Sequence, residues 1–292
     1  MPTLFLPLLL MLLAGLTTAA EPLTVMSFNV RGDFDGGMAT ENPNGWIAAS
    51  GKHRRKLVQR LVVESDPDLL GVQEAYRNQV DEIDSVLEGH DVYAVGRDDG
   101  IAAGEHCAIY YRRSRFERLE EGTFWLSNEP DTPSTYPGAA CPRVATWLVL
   151  RDREDGPDLV VVNTHWDHVS AEARVHSASM IRDRLEALRG ERPAIVMGDL
   201  NVGELMPPIK TLLGSGRTRL IDSYRTRFPE RSKVERTHHA FRGTEEGVRI
   251  DYVLHTTDFR TIDAAIMRTA YEARFPSDHF PVTATLELVT QP

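Results

Sequence analysis

Residues 194–201 read AIVMGDLN: four apolar positions, a glycine, and then Asp199, Leu200 and Asn201. A short apolar run closed by glycine and polar residues is the pattern of a buried strand that ends in a turn. The same arrangement recurs on both sides of it. Residues 24–30, 69–73, 108–111, 146–150, 159–162, 250–254 and 282–288 are short runs rich in β-branched and apolar residues, and each predicts a strand. Between them, residues 52–64 carry Leu57, Val58, Leu61 and Val62 on one helical face, and residues 171–189 do the same with Met180, Ile181, Leu185 and Leu188. The reading is an α/β fold in which helices cover sheets. No repeat and no low-complexity linker divides the chain, so one domain is expected.

The chain has 292 residues and a formal charge of −10, from 43 acidic against 33 basic side chains. No basic block is present, which excludes a tight nonspecific nucleic-acid binder. Residues 4–16, LFLPLLLMLLAGL, are apolar and are followed by Thr17, Thr18, Ala19 and Ala20. The run is shorter than the ~20 apolar residues of a spanning helix and contains Pro7. It reads as a signal peptide over residues 1–20, with residues 21–292 as the exported domain. The expectation is a secreted or periplasmic monomer with no stable membrane insertion. Cys107 and Cys141 permit one disulfide without demanding it. The loop 31–46, RGDFDGGMATENPNGW, is turn-rich and expected at the surface; its RGD triplet is a chance match to an adhesion motif.

Polar residues gather where the apolar runs stop: Asn29, Glu74, Asn163 with His165, Asp199 with Asn201, Asp251, and Asp278 with His279. Carboxylates at the ends of buried strands require a partner or a cation, and convergence on one site gives them a common reason. Oxygen donors favour a hard ion, Mg²⁺ or Mn²⁺, which is held by one or two carboxylates and completes its shell with water and a substrate phosphate. In such a site Asp199 would position a nucleophilic water, Asn201 would donate to a phosphate oxygen, and His165 and His279 would neutralise developing charge. Other readings are open. His165 and His168 could hold zinc if a third ligand joined them. Ser277, Asp278 and His279 name the members of a hydrolase triad, but consecutive strand residues face opposite ways and cannot form one.

Taken in order, SFN, QE, GEHCAIYYR, NTHWDH, GDLN, RIDYVL and SDHFPV resemble the motif series of the endonuclease/exonuclease/phosphatase superfamily, which includes deoxyribonuclease I, abasic-site endonucleases, inositol-polyphosphate 5-phosphatases, bacterial sphingomyelinases and deadenylases. The resemblance runs from Thr24 to Val282. It implies a four-layer α/β sandwich, two mixed β-sheets packed face to face with helices outside. It also implies that Glu74 is the principal metal ligand, with Asn29 beside it and Asp278 close by. Asp199 and Asn201 would orient the nucleophile and bind phosphate, and Asp251 would partner the catalytic His279. Glu105 would pair with His165, and Arg143 would contact phosphate, with Asn163 in the substrate-binding set. The segment THHAF, residues 237–241, FWLS around Trp125, and NTHWDH resemble a group of exported bacterial members whose pattern is TFHGF, from which His238 and Ala240 depart. Trp125, Trp166 and His168 are candidates for an aromatic rim.

The function expected is an exported, Mg²⁺- or Mn²⁺-dependent phosphoesterase that cleaves a phosphodiester by in-line attack of water, with nucleic acid or a nucleotide as first substrate class. The alternatives are a monoesterase or phospholipase-type hydrolase on a phosphorylated lipid, sugar or inositol, or a binding module without turnover.

Overall fold

In residues 69–75 alternate side chains enter two different cores. Leu69 packs between two sheets, while Leu70 and Val72 pack on the opposite face under helices. Burial on both faces is why this strand, like the one over residues 159–165, reads as a continuous apolar run. The computed structural model describes residues 21–154 and 156–289; the expected signal peptide lies outside the described residues. Twelve strands form two six-stranded mixed sheets. The first has β1 (Leu23–Asn29), β2 (Leu69–Ala75), β3 (His90–Tyr93), β4 (His106–Arg112), β11 (Phe259–Ile266) and β12 (Val282–Leu288), in the order β11-β12-β1-β2-β4-β3. The second has β5 (Phe116–Trp125), β6 (Val144–Asp152), β7 (Leu159–His165), β8 (Ala194–Asp199), β9 (Leu220–Asp222) and β10 (Asp251–Thr256), in the order β5-β6-β7-β8-β10-β9. Each sheet has one parallel pair at its centre, β1 with β2 and β7 with β8.

Helices α1 (Arg54–Ser65) and α2 (Arg77–Asp84) cover the outer face of the first sheet through Val58, Leu61, Val62, Val80 and Ile83. Helix α3 (Ala171–Arg189) and the short α4 (Pro207–Leu213) cover the second through Ile181, Leu185, Ile209 and Leu212. Ser170 caps α3 by accepting from the Ala173 amide at 3.1 Å, and Gly190 ends it. A last helical turn, α5 (Ser223–Arg227), is capped by Asp222. The expected four-layer sandwich is the architecture found. Among the described residues no helix is long and apolar enough to cross a membrane, and Cys107 and Cys141 are both free thiols.

One cation sits in the interior at the end of the first sheet. The Arg54 side chain is 1% exposed and donates to the main-chain carbonyls of Asn44 at 2.9 Å, Arg31 at 2.8 Å and Pro276 at 3.1 Å, with a further bond to that of Val30. Burial lowers its pKa to about 10, still above neutral pH, so the guanidinium stays charged and knots the loop after β1 to the segment before β12.

Candidate active site

The faces that meet between the sheets change character along their length. In β7 the inward series is Val161, Asn163, His165; in β8 it is Ile195, Met197, Asp199; in β1 it is Val25, Ser27, Asn29. Register aligns the polar ends, because Asp199 lies beside His165 on one side and beside Asp251 on the other. Three adjacent strands therefore deliver three ionisable groups to one row. Gly198 makes the row possible: a side chain there would place its Cβ 2.0 Å from the Thr164 carbonyl oxygen.

Asn29 is the joint between the two sheets, since its amide donates to Glu74 Oε1 at 2.9 Å and to Asp199 Oδ2 at 3.0 Å. Glu74 occupies a left-handed conformation (φ 65°) where the pairing of β2 with β4 slips between Val72 and Ala75, and its other oxygen accepts from Gly32 N. His279 donates through Nδ1 to Asp251 at 2.9 Å, and its Nε2 lies 3.7 Å from Asp199. Burial alone would lower the His279 pKa, but Asp251 and Asp199 outweigh it and push it up to about 10, so the ring is an imidazolium. Burial works the other way on Asp199, which together with the charge of Asp251 is raised to about 7. Glu74 also feels burial, but the charge of His279 and the Asn29 hydrogen bond hold it below the usual carboxylate range.

The opposite wall is rich in donors. Arg143 donates to Nδ1 of His165 at 2.9 Å and to Nδ1 of His168 at 3.0 Å, while the Asn201 amide faces Nε2 of His165 at 3.0 Å and donates to Trp166 O at 2.9 Å. Burial and then Arg143 keep His165 well below its ordinary pKa and therefore neutral. A neutral imidazole can accept on one nitrogen only, so one of these two donors lacks an acceptor. The Nε atoms of Arg97 and Arg143 also lack hydrogen-bond partners. With Arg31 these groups line a cleft of about 360 Å³, whose excess of donors suits an anion carrying several acceptor oxygens.

Most of the expected site residues meet here. Glu74, Glu105, Arg143, His165, Asp199, Asn201, Asp278 and His279 line the cleft, with Asn29 and Asp251 bonded directly to lining residues. Some expectations are corrected. Asn163 is not a substrate contact: it is fully buried one layer below, where its amide donates to the carbonyls of Val72 at 2.9 Å and Ala108 at 2.8 Å and its Oδ1 accepts from Gln73 at 2.7 Å. It fills the gap opened by the β2–β4 slip. Asn163→Ala should cost about 1–3 kcal/mol by leaving these groups unpaired with little change in KM, as checked by urea unfolding beside initial rates; an unaltered unfolding midpoint would refute this. Glu105 comes within 3.8 Å of His165 without a hydrogen bond, because its partner is Arg97, with Arg143 at 3.7 Å. Burial, opposed by Arg97, takes the Glu105 pKa up to about 7. Trp125 and Trp166 are 5% and 0% exposed and form no rim; the exposed rings at the cleft are Phe34, His168 and His238. His165 and His168 turn to Arg143 rather than to a shared ion. Ser277 donates to the carbonyl of Asn29 and heads no triad. Asp33 is 3% exposed, so the RGD triplet is not displayed.

Arg31, Phe34, Arg97 and His238 are lining residues that strand-end reasoning did not select. They stand on loops, where no apolar run points to them. Arg31 had a local signal, its place two residues beyond the strand-end Asn29; Arg97 had none.

The ligand atoms of Glu74, Asp199 and His279 lie within 4.8 Å of one another. Two carboxylates at that spacing fit a hard divalent ion, and the charged ring beside them suits a phosphate better than a third ligand position. Asp278 stands outside this group, 3.7 Å from Arg31 and 3.8 Å from His238.

A model of the endonuclease/exonuclease/phosphatase family matches residues 26–279. The chain belongs to the endonuclease/exonuclease/phosphatase family. It is thereby a metal-dependent phosphoric ester hydrolase with the family's α/β sandwich. Among solved structures it is similar to the mannosyl-6-phosphatase of Bacteroides thetaiotaomicron VPI-5482, with 33% identity and a TM-score of 0.81 over 90% of this chain and 99% of that one. A family member from Bacteroides vulgatus is also 33% identical, with a TM-score of 0.82 over 92% and 99% of the two chains. The catalytic domain of human Nocturnin, at 17% identity and TM-score 0.71 over 92% and 94%, shares the fold. No curated protein matches the chain.

Family metal use gives the raised Asp199 a testable consequence. A carboxylate whose folded pKa is raised stabilises the metal-free fold below its unfolded pKa, and that contribution is lost as pH rises toward about 7. A cation that displaces this proton binds better at higher pH. Half-saturating Mg²⁺ should therefore fall between roughly pH 6 and pH 8, and the Mg²⁺-induced rise in Tm should be larger at the upper value. Calorimetry at both values checks this, and a pH-independent response would remove Asp199 from the ligand set.

Proposed function

We propose that the protein is an exported Mg²⁺- or Mn²⁺-dependent phosphomonoesterase that acts on a small phosphorylated polyol or sugar. The observation that carries this reading is the compact, donor-rich cleft of about 360 Å³, open to solvent at its mouth. A polymer substrate asks for a long basic groove, whereas a terminal phosphate offers three oxygens to the guanidinium groups of Arg31, Arg97 and Arg143. The similarity to a mannosyl-6-phosphatase at 33% identity over nearly all of both chains supports the same choice. It favours the monoester over the phosphodiester that the motif series suggested first.

In this mechanism Glu74 and Asp199 would hold the ion, with Asn29 fixing both carboxylates. A hard cation held there would supply Lewis-acid polarisation of a phosphoryl oxygen. Asp199 orients the attacking water and takes its proton as the water oxygen bonds phosphorus and the ester P–O bond breaks, the leaving alkoxide taking its proton from solvent; Asn201 and Arg143 donate to phosphoryl oxygens, and His279, kept protonated by Asp251, offers Nε2–H to charge that builds on phosphorus. No side chain becomes covalently attached.

The test compares p-nitrophenyl phosphate with bis-p-nitrophenyl phosphate in Mg²⁺, Mn²⁺ and EDTA. Turnover of the monoester at least ~10-fold faster in kcat/KM, about 1.4 kcal/mol of discrimination, and abolished by EDTA, is the expected result. Preference for the diester would return the protein to the nuclease-like side. Glu74→Gln should raise the Mg²⁺ concentration for half-maximal rate, and an unchanged metal dependence would count against Glu74 as a ligand.

A further inference from the structure

Beside the catalytic cleft lies a second hollow of about 200 Å³ that shares Arg31 and Phe34 with it. Its remaining wall is the loop 32–46 together with Phe241. The ridge between the two spaces is built rather than incidental. Arg31 lies over the Phe34 ring at 4.6 Å, the same ring meets Tyr76 edge-on at 5.9 Å, and Phe34 is nevertheless 56% exposed. An exposed aromatic face held from two sides offers a flat apolar surface to whatever crosses the ridge.

The lining chemistry selects among ligands. Asn42 and Asn44 bring amides that both donate and accept, and Asp33 and Asp35 bring carboxylates. Asp33 is 3% exposed, with Oδ2 taken by the Gly37 amide at 2.7 Å and the Asn78 side chain at 2.8 Å, while Oδ1 has no partner. Asp33 thus backs the hollow, and Asp35 is the carboxylate that solvent reaches there. Two carboxylates repel a second phosphate, so a nucleotide chain running this way is disfavoured. A neutral polyhydroxylated ring meets these features, since its hydroxyls donate to Asp35 and pair with the amides while its C–H face rests on Phe34.

We propose that this hollow is a saccharide subsite, and that the substrate is a phosphorylated sugar extended by at least one further sugar unit. The proposal rests on the phosphomonoesterase reading. The phosphate lies in the cleft against Arg31, and the neighbouring unit crosses the ridge into the hollow.

The experiment measures kcat/KM with Mg²⁺ for three substrates: a hexose 6-phosphate, the disaccharide carrying the same phosphorylated hexose, and p-nitrophenyl phosphate. It uses the wild type and the Asn42→Ala/Asn44→Ala double variant. The disaccharide phosphate should exceed the hexose phosphate at least ~10-fold in the wild type. The double variant should erase that margin while hydrolysing p-nitrophenyl phosphate within twofold of wild type. Equal values for the two sugar phosphates in the wild type, or a margin that survives in the variant, overturns the subsite. If no monoester is turned over, the functional reading fails and the subsite is judged separately, by soaking crystals with the unphosphorylated disaccharide. Density in the hollow upholds the subsite, and an empty hollow at saturating sugar overturns it.

Discussion

Asp199→Asn should lose about 100-fold or more in kcat, the scale of a positioned acid–base group, while the fold survives. The carboxylate accepts from Asn29 and from the Asn201 amide and lies within 3.7 Å of both histidine Nε2 atoms. An amide keeps the shape but cannot take the proton of an attacking water. One of its two orientations would also turn NH₂ against the Asn29 donor. The effect on stability has the opposite sign to the effect on rate. Burial and the neighbouring Asp251 already press Asp199 toward its neutral form, so removing its charge should leave the metal-free Tm unchanged or higher. Thermal unfolding in EDTA and initial rates in Mg²⁺ measure both. A variant that keeps a tenth of the wild-type rate would remove Asp199 from the mechanism.

His279→Ala should be worse in both respects. Loss of an oriented donor to a developing oxyanion costs roughly 10²–10³ in kcat. The ring is also the counter-charge of Asp251, which is 1% exposed and accepts its hydrogen bond at 2.9 Å. Leaving that carboxylate alone in the interior should destabilise the fold by about 3–5 kcal/mol. The double variant His279→Ala/Asp251→Asn should recover much of the stability and none of the rate. If His279→Ala unfolds like wild type, the buried pair described here is not formed in solution.

The strands that the sequence made legible are those interior to a sheet. Seven of the eight expected runs, in β1, β2, β4, β6, β7, β8 and β10, have a paired neighbour on each side and a packed layer on each face; β12 is also interior, but its VTATLEL alternates and packs Val282, Ala284 and Leu286 on one face only. The four that were not read, β3, β5, β9 and β11, are the four sheet edges. β5, with FERLEEGTFW, is ten residues long yet carries four charged side chains in its first six residues, which guards the edge against pairing with another molecule. Helix α2 was missed for a related reason: in RNQVDEID only Val80 and Ile83 are apolar, too few to show a stripe. The site divides in the same way. Residues at strand ends could be found because a carboxylate after an apolar run is anomalous, but Asn163 carries the same local signal as Asn201, and only the register slip of β2 against β4 explains why one supports the interior and the other lines the cleft.

The Arg54 knot bears on how such an enzyme could change its diet. All four of its bonds are to peptide oxygens, which every amino acid supplies. The anchorage is therefore indifferent to the side chains of the residues it grips, and exposed positions of the loop such as Met38, Ala39 and Glu41 could change while the backbone stays tethered in place. Selectivity and chemistry thus evolve on separate parts of the molecule, the first on a tethered ribbon open to drift, the second on ladders in which a shift of one residue would be fatal.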